Sequence, residues 1–125
     1  MFPIASYETY QDGEIIFREN SHGDWIYVVE EGAVELSKDV NGKKVVLDTL
    51  QPEAVFGELA YLAKIPRTAT ATAVGTTTVG VLDRSIFDRE LNQLRADFQE
   101  LLKSVALRLK KANETLARIK AEKGG

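Results

Sequence analysis

From residue 14 to residue 82 the chain is a succession of short apolar-rich runs, each closed by turn-forming residues. Ile15–Phe17, Trp25–Val29, Ala33–Leu36, Val45–Leu50, Thr68–Ala73 and Thr76–Leu82 are rich in β-branched, aromatic and other apolar residues and read as strands. Asp12-Gly13, His22-Gly23-Asp24, Glu31-Gly32, Asn41-Gly42 and Gly75 separate them. Asn41-Gly42 is the sharpest of these signals, because a two-residue hairpin turn needs positive φ at both central positions. Strands at this spacing predict a small barrel or jelly roll.

The period changes near Asp83. Ser85, with Asp88 three positions on, reads as an N-cap with a capping-box variant and predicts a short helix to Leu91 or beyond. A long helix is predicted over residues 97–122, with Asp97 and Glu100 near its start, Lys120 and Lys123 near its end, and Gly124-Gly125 to stop it. Its apolar positions Phe98, Leu102, Val105, Leu109, Ala112, Leu116 and Ile119 alternate in steps of four and three, a heptad seam. Two packings are open. The helix could lay this stripe on its own barrel, or pair with the same helix of a second chain. Regular alternation favours pairing, since barrel-packed helices show a broader stripe. The expectation is a homodimer through residues 98–119, with Leu101, Ala106 and Leu107 left to touch the barrel.

A chain of 125 residues is one domain, large enough for a single core. The absence of cysteine excludes a disulfide framework and thiolate chemistry and is compatible with a cytoplasmic location. No apolar run approaches membrane-spanning length, so no membrane association is expected. Residues 1–96 carry 9 Lys/Arg against 15 Asp/Glu, whereas 97–125 carry 7 against 4. An acidic body argues against general affinity for nucleic acid. With His22 as the one histidine, a catalytic metal centre has too few ligands, and no elbow-type motif positions a serine nucleophile for a triad. Trp25 and Tyr27 read as barrel-filling residues, and Lys64 as a solvated loop lysine.

Candidate chemistry gathers between Phe56 and Ala73, in FGELAYLAKIPRTATATA. Gly57-Glu58-Leu59-Ala60 has the composition of a helix's first turn, where unbonded backbone N–H groups and the dipole favour an anion. Arg67 adds a planar fork of donors suited to phosphate oxygens, and Thr68 a hydroxyl. Glu58 would repel phosphate, and makes sense as an acceptor for ligand hydroxyls such as those of a ribose. A sugar phosphate with one negative charge fits this set. The competing expectation is that Glu58 and Arg67 merely pair with each other.

These residues resemble the phosphate-binding cassette of cyclic nucleotide-binding domains, FGE-L-A followed by PR-[ST/A]-A-T, at Phe56 to Ala60, Pro66, Arg67, Ala69 and Thr70. Gly13, Ile16, Tyr27 and Gly32 stand where the family carries barrel glycines and apolar residues. The resemblance implies an eight-stranded jelly-roll barrel over residues 1–90 and a C-terminal lid or dimerisation helix over 91–125. It implies a non-catalytic sensor whose ligand is cAMP or cGMP, with no further cofactor. Arg67 would bind the exocyclic phosphate oxygens, Glu58 the ribose 2′-hydroxyl, and the amides of Ala60 and Thr68 the rest of the phosphate. Gly57, Leu59 and Ala69 would complete the cradle. In the transcription-regulator branch adjacent hydroxyls on the long helix read the base; here Ala112-Asn113 stand there, and Asn113 can donate and accept. Thr68 is compatible with cAMP, towards which the expectation leans, while threonine here accompanies cGMP preference in other branches. Pro52-Glu53 and Glu19-Asn20 depart from the family where glycines are usual. No DNA-reading element of the kind found in dimeric regulators is expected in this chain, and a ligand-free dimerisation module of the same fold is the alternative.

Overall fold

The computed structural model describes residues 2–124. Nine elements follow in order: β1 (Ile4–Tyr10), β2 (Ile15–Phe17), β3 (Tyr27–Val40), β4 (Lys43–Leu50), β5 (Val55–Phe56), α1 (Glu58–Ala63), β6 (Thr70–Leu82), α2 (Arg84–Gln93) and α3 (Ala96–Lys123). The strands form one antiparallel sheet in the order β1-β6-β3-β4, with β2 added to β6 and β5 to β3.

The expected eight-stranded barrel is therefore corrected to six strands in a sheet that does not close. The two candidates Trp25–Val29 and Ala33–Leu36 are one bent strand, β3, and Thr68–Ala73 and Thr76–Leu82 are another, β6. The turn signals Glu31-Gly32 and Gly75 are bulges inside continuous strands. Glu31 pairs with Thr78 and Ala33 with Val74, so three residues of β6 face one of β3. Thr77, fully buried, fills that irregularity. Its hydroxyl lies 3.0 Å from the Ala33 carbonyl and 3.3 Å from the Ala33 amide. The hairpin at Asn41-Gly42 is as expected, with φ of 55° and 82°.

β1 lacks the apolar alternation that would have marked it as a strand, because its middle faces solvent. The core gathers Tyr27, Val29, Val34, Phe56, Ala71, Val79 and Val81, with Phe17, Leu36 and Leu50 packed on it. Trp25 is not part of it: its side chain is 48% exposed, because β3 begins only at Tyr27.

α2 starts two residues earlier than an N-cap at Ser85 implies. Asp83 is the N-cap, accepting from the Ser85 amide at 3.0 Å, since a carboxylate just before the helix competes well for that donor. α3 turns one face to the body. Ala106 packs against Leu59 and Ala63 of α1, and Ala117 is also buried. At its far end Lys120 Nζ donates to the Val46 carbonyl (3.0 Å), and Lys43 Nζ to the Ala121 carbonyl (3.4 Å). Of the three residues expected to touch the barrel, Ala106 is buried at 2% exposure, whereas Leu101 and Leu107 stay 56% and 40% exposed.

Two departures from the family's glycines keep the backbone that glycine would favour: Asn20 has φ 69° and Glu53 φ 80°. Asn tolerates this conformation; Glu pays about 1–2 kcal/mol for it. Glu53 is held there by its amide donating to the Val29 carbonyl at 2.8 Å, in the turn that feeds β5 and the site. Glu53→Gly is expected to raise the unfolding free energy by about 1 kcal/mol in urea titration. An unchanged or lower midpoint would show that the turn carries no strain.

Candidate functional site

Gly57 closes β5 and caps α1 with φ 83°. A Cβ at this position would lie 2.8 Å from Arg67 Nη1 and 3.0 Å from the Trp25 carbonyl, so no other residue fits without displacement. Arg67 sits between α1 and β6 with its backbone clamped. Its amide donates to the Ser21 carbonyl (2.9 Å), and its carbonyl accepts from Asn20 N–H (2.7 Å). The left-handed turn at Asn20 thus serves the site directly.

The Arg67 side chain is almost wholly buried, at 3% exposure. Nη1 donates to the Gly57 carbonyl at 3.1 Å and Nη2 to the Trp25 carbonyl at 3.0 Å. Cζ stands 4.2 Å from the centre of the Phe17 ring, a cation–π contact. Nε has no acceptor among the described residues. Nor does any carboxylate of the described residues come within 4.0 Å of the guanidinium, so the internal Glu58–Arg67 pair is not formed. Burial lowers the proton affinity of Arg67, with Tyr27 and Asp24 opposing the shift. Burial likewise raises the Glu58 pKa, which its own backbone amide partly offsets.

Both side chains face one cavity of about 390 Å³, within the range of small-ligand sites. Gly57, Glu58, Leu59 and Ala60 line one side, Arg67, Thr68 and Ala69 the next, and Asn113 reaches in from α3 between Leu109 and Leu116. All eight residues singled out in the sequence border this cavity. Lys64 does not; it closes α1 in a left-handed conformation and is exposed. His22 is exposed, and among the described residues no three potential metal ligands cluster.

Comparison with known proteins agrees with this geometry. The family model described as "Cyclic nucleotide-binding domain" matches residues 7–93. This chain belongs to the cyclic nucleotide-binding domain family.

The domain is 38% identical over 84 residues to a cAMP-dependent protein kinase regulatory subunit of Dictyostelium discoideum, covering 64% of this chain and 26% of that protein. It is 33% identical over 123 residues to a cGMP-dependent protein kinase of Drosophila melanogaster, covering 95% of this chain and 11% of that protein. The chain thus spans about a quarter or less of the length of these relatives. Among solved structures, the regulatory domain of Toxoplasma gondii PKA in co-crystal with cAMP superposes with a TM-score of 0.65 at 33% identity, covering 82% of this chain and 38% of that one.

Three residues about the site escaped the sequence reading, two of them, Phe17 and Asp48, on the cavity wall. Phe17 supplies the ring beneath the guanidinium. Lys38 donates to the Thr68 carbonyl and pairs with Glu19 at 3.2 Å, which fixes the end of the cassette. Strand alternation would have found it, since Lys38 shares the inward face of Val34 and Leu36. Asp48, opposite Leu36 in register, also borders the cavity, at its exposed rim. Beyond the cavity, Tyr61 of α1 donates to Asp88 of α2 at 2.7 Å, and Arg84 joins Asp88 to Asp24, beside Trp25. The cassette helix and the loop that holds Arg67 are therefore tied to one patch of α2.

Glu58 carries a pH signature. Its folded pKa is raised, so the native state holds the proton longer than the unfolded chain. Stability is therefore lost as pH rises from the unfolded carboxyl range through the folded pKa. Glu58→Gln, free of the buried charge, should melt higher than the parent at pH 7 without ligand. The gap should close as pH falls below the carboxyl range, in thermal melts followed by circular dichroism. A gap that stays constant with pH would assign it to something other than ionisation.

Proposed function

We propose that this domain is a non-catalytic sensor of a 3′,5′-cyclic nucleotide, with cAMP as its ligand, signalling through α3. The observation that carries this is the Arg67 guanidinium: buried, held by two backbone carbonyls, without a carboxylate partner, and forming the wall of a nucleotide-sized cavity. A charged group left so poorly paired is costly, and a singly charged phosphate diester would supply what it lacks. The amides of Ala60 and Thr68 complete the phosphate cradle. Glu58 accepts from the ribose 2′-hydroxyl, and Asn113 meets the base. The choice of cAMP is supported by the Toxoplasma gondii domain, which holds cAMP on the same fold at 33% identity.

The route to a response runs through α3. It rests on α1 through Ala106 and on β4 through Lys120, positions about 21 Å apart along the helix. Leu109, Asn113 and Leu116 cover the cavity between those two supports. A ligand that prefers one position of α3 over another shifts its population by that difference in affinity.

In calorimetry, Arg67→Ala is expected to weaken cAMP binding on the order of a hundredfold, the scale of a lost charge-assisted contact. Equal affinity in both proteins would remove Arg67 from the site. In the parent, ligand at a hundred times its dissociation constant should stabilise the fold by about 2.7 kcal/mol. No thermal shift with either cAMP or cGMP would favour the ligand-free module instead.

The outer face of α3 supports a homodimer. Phe98, Val105, Leu109 and Ile119 are 52%, 56%, 45% and 42% exposed along the heptad seam. A continuous apolar seam of this kind is covered in a coiled coil. Light scattering at high micromolar concentration should give twice the chain mass, and Phe98→Glu with Val105→Glu the single mass. A single mass for the parent would refute the pairing.

A further inference from the structure

A lysine on a strand ordinarily reaches into water, yet the side chain of Lys38 on β3 is only 11% exposed. Two groups account for its burial. Its ammonium pairs with Glu19 at 3.2 Å and donates to the Thr68 carbonyl. Glu19 is anchored twice more: its Oε1 accepts from the Asp39 amide at 2.8 Å, and its own amide donates to the Thr70 hydroxyl at 2.9 Å. Neither Lys38 nor Glu19 lines the ligand cavity; both border a separate cleft with Ser37 and Thr70.

The backbone from Arg67 to Thr70 lies between that cleft and the cavity. The Arg67 amide is taken by the Ser21 carbonyl, and Thr70 enters the β6 ladder opposite Ser37. Between them the amides of Thr68 and Ala69 have no backbone acceptor among the described residues, and both residues line the cavity. The Thr68 carbonyl and the Ala69 N–H belong to one planar trans peptide and point in opposite directions. With the carbonyl turned out to Lys38, the N–H is turned in. A flipped peptide would instead set a carbonyl oxygen against an incoming anion.

We propose that Lys38, braced by Glu19, is a positioning residue for the ligand phosphate: it locks the 68–69 peptide so that the Ala69 amide donates to an exocyclic oxygen beside Arg67. This rests on the cavity being a cyclic nucleotide site, as proposed above. Lys38 itself touches no ligand atom. It acts through the peptide, where a cation on the carbonyl oxygen polarises the group and makes the N–H a stronger donor. Glu19 neutralises the pair at longer range, so the effect is local to this peptide and is not a general attraction for anions.

The test joins calorimetry to amide NMR on the full chain, with cAMP and its two exocyclic phosphorothioates, Rp-cAMPS and Sp-cAMPS. In the parent, the Ala69 amide proton should move downfield when cAMP binds. Lys38→Met should weaken cAMP about tenfold and abolish that movement. Its effect on the two phosphorothioates should be unequal, because sulfur replaces a different oxygen in each and accepts poorly from an amide. Lys38→Arg, which keeps a charged donor, should bind within about threefold of the parent and restore the shift. Equal weakening of all three ligands by Lys38→Met is what a general loosening of the fold would give, and it would overturn the assignment. So would an Ala69 amide proton that stays in place when cAMP binds the parent, a measurement that needs no variant to fold. If the parent binds none of the three ligands, the nucleotide reading itself fails and takes this inference with it. If it binds them and Lys38→Met binds them equally well, only the positioning role is lost.

Discussion

The structure depends on burying one guanidinium. Arg67 is enclosed by backbone from three places: the Gly57 carbonyl at the mouth of α1, the Trp25 carbonyl before β3, and the Asn20–Ser21 turn that grips its own amide and carbonyl. Phe17 from β2 lies under its plane. Segments far apart in sequence thus converge on a charge that forms no ion pair with an acid among the described residues. Such an arrangement costs stability unless something else repays it. The glycine at 57 and the left-handed turn at 20 make sense only as parts of that enclosure.

Around this point the fold divides its labour. The sheet supplies a rigid floor: two long strands bend through bulges at Gly32 and Gly75 instead of breaking into four, with Thr77 plugging the irregularity. The helices supply the parts that can shift. α1 meets α3 in a small cluster of Leu59, Ala63 and Ala106, and α3 meets β4 through lysine-to-carbonyl bonds at its far end. These are modest contacts beside the core formed by Phe56, Val29 and Val79, and the proposed route of signalling through α3 rests on that difference.

Much of this was legible in the residues. The Gly57–Ala60 and Arg67–Ala69 clusters, and Asn113 forty-odd residues further on, all border one cavity, because a chemically improbable set of residue types flags itself. The hairpin at Asn41-Gly42 followed from backbone sterics alone. What escaped had weak local signals. β1 is held by its ladder to β6 and by Tyr10 packed on the core, without an alternating apolar face. The strand count failed because a glycine inside a bulge looks the same as a glycine in a turn. Trp25 was misjudged because the fold uses its carbonyl and not its ring. Whether Glu58 and Arg67 would meet depended on how far apart the fold holds two neighbouring side chains, which spacing does not determine.

Leu109 and Leu116 belong to two surfaces at once, bordering the cavity while lying on the outward heptad seam of α3. If α3 pairs as proposed, a lineage drifting at either position would alter what the cavity accepts and what the helix binds in the same step. Ligand selectivity and quaternary assembly would then be inherited as linked traits, and a duplicated copy could not specialise in one without moving the other.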